Sequence, residues 1–165
     1  MKRFRKVYLE ISNLCNLHCR FCPGTRRTPK IMSEAEFTEL VMKLRPWSDY
    51  LYFHVMGEPL LHPRINDLIC LASEKYYVNI TSNGYLVNRI KDNKMIRQIN
   101  LSLHSYDEKY GKSFDDYIND ILQSADVLVS NGTIVKYRVW VNSEYKNKIL
   151  EKLNNRYDVN IGENR

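Results

Sequence analysis

Residues 7–22, VYLEISNLCNLHCRFC, set an alternating run directly against three cysteines in C-x3-C-x2-C spacing. Val7, Leu9 and Ile11 alternate with Tyr8, Glu10 and Ser12, which is the period of a half-buried strand. Cys15, Cys19 and Cys22 follow at once, so they fall in a loop at the strand's carboxyl end. The same alternation recurs down the chain. Counting 6–12 as the first run, strands are expected at 50–56, 77–83, 99–104 and 134–142, with a weaker one at 157–161. One face of each is apolar, with Leu51, Phe53 and Val55, then Val78 and Ile80, Leu101 and Leu103, and Val135, Val139 and Val141. The other face carries Tyr52, His54 and Met56, Asn79, Thr81 and Asn83, Asn100, Ser102 and His104, and Arg138, Trp140 and Asn142.

Helical patterns separate the runs. Ser33 with Glu36 reads as a capping box ahead of Phe37, Leu40, Val41 and Leu44. Pro63 suits a first helical position, with Ile65, Leu68, Ile69 and Ala72 as the apolar stripe and Cys70 read as a small buried hydrophobe within it. Ser113 with Asp116 opens a third helix, closed at Asn131-Gly132. The segments 85–96 and 146–154 are poorer helices. Strands alternating with helices imply a parallel sheet, and parallel strands covered on both faces are apolar nearly throughout. These are not. The apolar faces are therefore expected to pack on helices while the polar faces share a concave, wet interior. The expectation is an α/β fold, a partial (βα)5–6 TIM-like barrel of parallel strands, with residues 1–165 as a single domain. Ligands in such folds sit at the carboxyl ends of the strands, here around Ser12, 56–58, 81–83, 102–104 and 138–142.

With 165 residues, 44% hydrophobic and 27% charged, the composition excludes a disordered or fibrous chain and suits one core. No apolar run approaches the ~20 residues of a membrane span. The basic N-terminus reaches Glu10 too soon for a signal peptide. A cytoplasmic protein without a membrane partner is expected. The net charge of +6 is spread along the chain, which reads as a solvated face more than a nucleic-acid surface.

A cytosolic chain keeps its thiols reduced, so three cysteines within eight residues point to metal. Three thiolates can hold three corners of a cubic iron–sulfur cluster and leave the fourth iron open for chemistry. The alternative is structural zinc with His18 or His54 as fourth ligand, although zinc sites usually pair two short cysteine knuckles.

CNLHCRFC after a first strand resembles the signature of the radical S-adenosylmethionine (radical SAM) enzymes. The resemblance continues through MGEPLLHP at 56–63, TSNG at 81–84, SLHS at 102–105 and KYRVWVN at 136–142. It implies that Cys15, Cys19 and Cys22 ligate a [4Fe–4S] cluster whose open iron chelates S-adenosylmethionine. One electron then cleaves the sulfonium to methionine and a 5′-deoxyadenosyl radical that abstracts a substrate hydrogen. Phe21 matches the position beside the adenine, and Gly57 and Glu58 match a Gly-Gly-Glu element that holds the methionyl ammonium, with Met56 in place of its first glycine. Ser102 resembles the fourth-strand residue that contacts the ribose or carboxylate, and Thr81, Ser82 and Asn83 are expected as ribose-side contacts. His104 stands where the family often has Asp, and Arg138 is placed to pair with the methionyl carboxylate. The motifs are most similar to the N-terminal catalytic domain of SPASM or twitch enzymes, which modify peptides or proteins and take electrons from a donor such as flavodoxin or ferredoxin. Other readings are an activating enzyme for a glycyl-radical enzyme, or a non-enzymatic zinc- or cluster-binding module that contacts RNA.

Overall fold

The computed structural model describes residues 4–157. Five parallel strands form one sheet in the order β1-β2-β3-β4-β5, with β1 Val7–Leu9, β2 Tyr50–Phe53, β3 Tyr77–Ser82, β4 Ile96–Ser102 and β5 Ile134–Arg138. The helices are α1 Glu34–Leu44, α2 Ile65–Ser73, α3 Phe114–Ser130 and α4 Lys146–Tyr157. Strands laid down strictly in sequence order, with crossovers of one hand, put every helix on the same face. The opposite face is left free of helices, and the sheet is the partial barrel the alternation called for.

The helix-side face is the core. Leu51, Phe53, Val78, Ile80, Ile99 and Leu101 are fully buried and join one cluster with Phe37 and Val41 of α1, Leu68 and Ile69 of α2, and Ile118, Ile121 and Leu128 of α3. The capping box at Ser33 forms in full: its hydroxyl accepts from the Glu36 N–H while the Glu36 carboxylate accepts from the Ser33 N–H. At α3 the Ser113 hydroxyl accepts the Asp116 N–H, and the chain turns out of the helix through Asn131 and Gly132, the latter at φ +87°.

Several expectations shift. Pro63 lies ahead of α2, which begins at Ile65 with Arg64 as its cap. The proline that does open a helical turn is Pro59, at the start of a 3-10 turn Pro59–Leu61 capped by Glu58. Segment 85–96 yields only the 3-10 turn Val87–Arg89, while β4 starts three residues earlier than its run suggested. β5 stops at Arg138, so Val141 leaves the apolar face and is 77% exposed. Val55, past the end of β2, is likewise exposed. Cys70 is exposed too. It follows Ile69 by 100° of helix, which carries it off the buried Ile65–Leu68–Ile69–Ala72 stripe. Tyr157 ends α4, and the rest of the weak run at 157–161 lies outside the described residues. Among those residues no helix is long and apolar enough to cross a membrane.

Candidate active site

The loop after β1 is held closed at its base. Buried Asn13 donates from Nδ2 to the Thr28 carbonyl at 2.9 Å and accepts the Lys30 N–H on Oδ1 at 2.8 Å, and Ser12 bridges to Ile31. Cys15, Cys19 and Cys22 project from the loop that this clasp defines, and all three are free thiols. A distant turn grips the loop's outer side: the Tyr110 hydroxyl accepts the His18 N–H, and Lys109 donates to the His18 carbonyl at 3.2 Å. Donors are also ranged around the sulfurs. The Leu17 N–H lies 3.4 Å and Asn83 Nδ2 3.9 Å from Cys15 Sγ, and the neighbouring Ser105 side chain favours the Cys19 thiolate.

The turn after β2 is docked on the same loop. Glu58 N–H donates to the Leu14 carbonyl at 2.7 Å, and Met56 N–H donates to Glu10, whose carboxylate also pairs with Arg27 at 2.6 Å. Gly57 makes the approach possible. It sits at φ +74°, and a Cβ there would lie 2.6 Å from the Ser12 carbonyl oxygen and 2.7 Å from that of Leu14.

Glu58 is buried, and its two oxygens accept separately from the Leu60 N–H at 2.9 Å and the Asn83 N–H at 2.8 Å. One carboxylate thus ties the β2 turn to the end of β3. Burial pushes its pKa up to about 7 against the pull of the N–H donors and Ser82. An acid whose folded pKa lies above its unfolded one takes up protons on folding, so stability is highest below about pH 4.5 and is lost as pH rises toward 7. At ~1.4 kcal/mol per pH unit the loss is roughly 3 kcal/mol. In the metal-free protein, urea midpoints should fall between pH 4.5 and 7, and Glu58→Gln should flatten that decline. Parallel curves for the two proteins would remove Glu58 as its source.

At the end of β3, Thr81, Ser82 and Asn83 are all buried. Thr81 accepts from Asn100 at 3.3 Å, Ser82 accepts the Gly84 N–H, and Asn83 reaches Asn16 in the cysteine loop at 2.9 Å while its carbonyl accepts from Tyr117. On the far side His104 donates from Nδ1 to the Arg138 carbonyl, 3.2 Å away, and its ring stacks on Trp140 at 4.4 Å with 12° between planes. Phe21 packs 4.3 Å from Trp140 and 5.2 Å from His104, making a three-ring group. Burial holds the His104 imidazole below its usual pKa.

These parts enclose one cavity of about 630 Å³ at the carboxyl ends of the strands. The residues matched to the family's motifs line it, namely Cys15, Cys19, Phe21, Cys22, Gly57, Glu58, Thr81, Ser82, Asn83, Ser102, His104 and Arg138, whereas Ser12 and Asn142, also expected around the site, do not. Leu17, Ser105 and Trp140, which have no individual role in the sequence reading, line it as well. Trp140 is on the polar side by its alternation with Arg138, and Ser105 closes the SLHS stretch in a 3-10 turn after β4. His62, by contrast, faces elsewhere, its Nε2 on the Met32 carbonyl at 2.8 Å and its Nδ1 accepting the Arg64 N–H. Among the described residues no three His, Cys, Asp or Glu side chains already converge on a metal position. Burial raises the Cys15 and Cys19 thiol pKa values, which favours neutral thiols with no charge to neutralise until a metal binds.

Comparison with known proteins places this arrangement. A GTP 3′,8-cyclase of Trichormus variabilis is 31% identical over 147 residues, covering 80% of this chain and 44% of that protein. A tungsten-containing aldehyde ferredoxin oxidoreductase cofactor-modifying protein of Pyrococcus furiosus is 27% identical over 142 residues, covering 78% and 34%. The chain therefore spans less than half the length of either relative. Streptococcus suis SuiB bound to its precursor peptide SuiA superposes with a TM-score of 0.69 at 19% identity, over 96% of this chain and 38% of SuiB. BtrN in complex with AdoMet and 2-DOIA gives 0.64 at 19% identity, over 84% and 58%. The model of the Radical SAM superfamily matches residues 9–151, from the first strand through the cysteine loop and on into α4. Over that span the chain belongs to the Radical SAM superfamily, whose enzymes carry a [4Fe–4S] cluster and use S-adenosylmethionine.

Proposed function

We propose that this chain binds a [4Fe–4S] cluster through Cys15, Cys19 and Cys22 and S-adenosylmethionine in the adjoining cavity, and that it abstracts hydrogen from a substrate in the manner of its family. One observation carries the reading. Twelve residues from five separate stretches of sequence line a single 630 Å³ cavity with the three cysteines on its wall. The donor set fits the cluster: three free thiols on one closed loop, with N–H and hydroxyl donors directed at two of the sulfurs. When bound, the cluster supplies one electron and an open iron for reductive cleavage of the sulfonium.

The chain's own residues supply position and shelter. Gly57 lets backbone carbonyl oxygens come within reach of a methionyl ammonium, while the Glu58 side chain, with its oxygens committed to Leu60 and Asn83, fixes that turn. Phe21, Trp140 and His104 offer flat ring faces to a planar base and exclude water around it. The Ser102 hydroxyl, which makes no hydrogen bond among the described residues, is left for the ribose or carboxylate, whereas Thr81, Ser82 and Asn83 act first as braces between loops. Arg138 is exposed at the wall and supplies a cation for a carboxylate. A flavodoxin or ferredoxin would deliver the electron, and a peptide or protein substrate is in keeping with the SPASM-like motifs.

The test is anaerobic. The full chain is reconstituted with iron and sulfide, reduced with dithionite and given S-adenosylmethionine, and 5′-deoxyadenosine is quantified by mass spectrometry. Product that needs all three cysteines is expected. A loaded cluster that yields no product and does not change its spectrum with S-adenosylmethionine would overturn the assignment of the cavity.

A further inference from the structure

A basic hollow lies at the amino ends of the strands, the end opposite the cysteine loop. Its volume is about 570 Å³. Arg45 and Asp49 line it from the α1–β2 connection, Lys75 and Tyr77 from the start of β3, and Lys94 and Arg97 from the start of β4. Four cations therefore share the hollow with one acid, and Asp49 is already paired with Arg45. Among the described residues Lys75, Lys94 and Arg97 make no ion pair. The amino-end face of such barrels ordinarily serves stability. Three uncompensated like charges in one hollow work against stability, and an anionic ligand reverses that cost.

Arg97 is the positioned member of the set. The register between β3 and β4 slips after Val78, which pairs with Ile96 while Asn79 pairs with Gln98, so Arg97 has no partner on β3. Such a bulge re-aims a side chain. The guanidinium lies 5.2 Å from the Tyr50 ring centre, and its Nη1 donates to Asn79 Oδ1 at 3.1 Å. Asn79 is fully buried and is itself fixed, its Nδ2 donating to the Tyr77 carbonyl at 2.8 Å. An aromatic face and one bonded nitrogen thus hold the guanidinium, while Nε and Nη2 make no hydrogen bond among the described residues. A guanidinium held in this way loses little freedom on meeting a phosphate, whose oxygens match its planar fork of N–H groups. Tyr77, more than half exposed, lines the same hollow.

We propose that this hollow binds a diphosphate-bearing small molecule. Arg97 grips one phosphate, Lys75 and Lys94 neutralise the other, and Tyr77 meets the organic part. A single carboxylate would leave two of the three cations unanswered, whereas a diphosphate carries charge enough for all of them. The site stands at the far end of the sheet from the cysteines, so it goes beyond the proposed reaction and does not rest on it.

The test uses the full chain carrying its reconstituted cluster, with S-adenosylmethionine at saturation so that the active-site cavity is filled. Inorganic pyrophosphate, inorganic phosphate and tricarballylate are titrated separately by calorimetry. Pyrophosphate is expected to bind about tenfold more tightly than either of the others. Arg97→Lys, which keeps the charge and loses the fork, should weaken it about tenfold. Lys75→Gln and Lys94→Gln, both at exposed positions, should each weaken it several-fold. Lys43→Gln, which removes an equally exposed cation from α1, should leave it unchanged. Absence of pyrophosphate binding, equal affinity for tricarballylate, or the same affinity in Lys94→Gln as in Lys43→Gln overturns the proposal. Should Arg97→Lys unfold, the two lysine variants decide the matter. Cofactor binding is read independently from the cluster's electron paramagnetic resonance spectrum. Its failure would count against the preceding reading, while the same titration of the lysine variants would still report on the hollow.

Discussion

Cys19→Ala is expected to purify and reconstitute with little iron, against about four irons and four sulfides per chain for the parent. Cys19 is the least exposed of the three loop cysteines, and like Ser105 it lines the cavity. Its removal leaves two thiols seven residues apart at the ends of the loop, with the central corner of the cluster unheld. Open iron corners invite loss of the cluster, and 5′-deoxyadenosine production should fall to background. Cys70→Ala is the matched control. Its thiol lies on the outer surface of α2, so iron content, product and thermal midpoint should all stay at parent values. Iron and acid-labile sulfide assays on the two variants decide the matter. Equal iron in both would refute the division of roles between the loop and the helix.

Gly57→Ala is the second large effect. An alanine at φ +74° is strained wherever it sits, and here the new methyl would meet three backbone atoms: Ser12 O at 2.6 Å, Leu14 O at 2.7 Å and Asn13 C at 2.8 Å. No side-chain rotation relieves such contacts. The turn must separate from the cysteine loop and strain the bond from Glu58 N–H to Leu14 O with it. Destabilisation of about 2–4 kcal/mol is expected from the strain and the lost docking together. The midpoint of urea unfolding measures it. Affinity for S-adenosylmethionine, read on whatever fraction folds, should fall as well because the two halves of the cavity wall no longer meet. A variant with the parent's midpoint would mean that residues 12–14 yield easily, and that the close approach is incidental.

Much of this was legible in the sequence because it is local. Strict alternation separated Phe53 from Tyr52 in β2, where the burial pattern follows it, and Ile80 from Thr81 in β3, where both are buried because the polar side is packed as well. Ser33 and Ser113 announced their helices three residues ahead through their hydrogen-bonding partners. Placing each strand's last polar residues at a common end then gathered the cavity. What escaped was non-local or geometric. Nothing near His18 indicates that Tyr110, 92 residues on, would grip it. Glu58 was legible as a cap, but its second bond to Asn83 depends on two turns meeting in space. Cys70 was misplaced for a simpler reason: membership of an apolar stretch is not membership of an apolar face, and 100° of helix separates the two.

The protein has two tryptophans, and the fold sends them to opposite ends of the sheet. Trp140 stands at the carboxyl end against His104 and Phe21, on the wall shared with the cysteines, whereas Trp47 precedes β2 at the other end and packs near Phe4. Iron–sulfur clusters absorb broadly where indole emits, so loading the loop should quench Trp140 strongly and Trp47 weakly. The molecule thus contains its own optical gauge with an internal reference. In Trp47→Phe the remaining emission should track cluster assembly almost alone, and in Trp140→Phe it should scarcely respond.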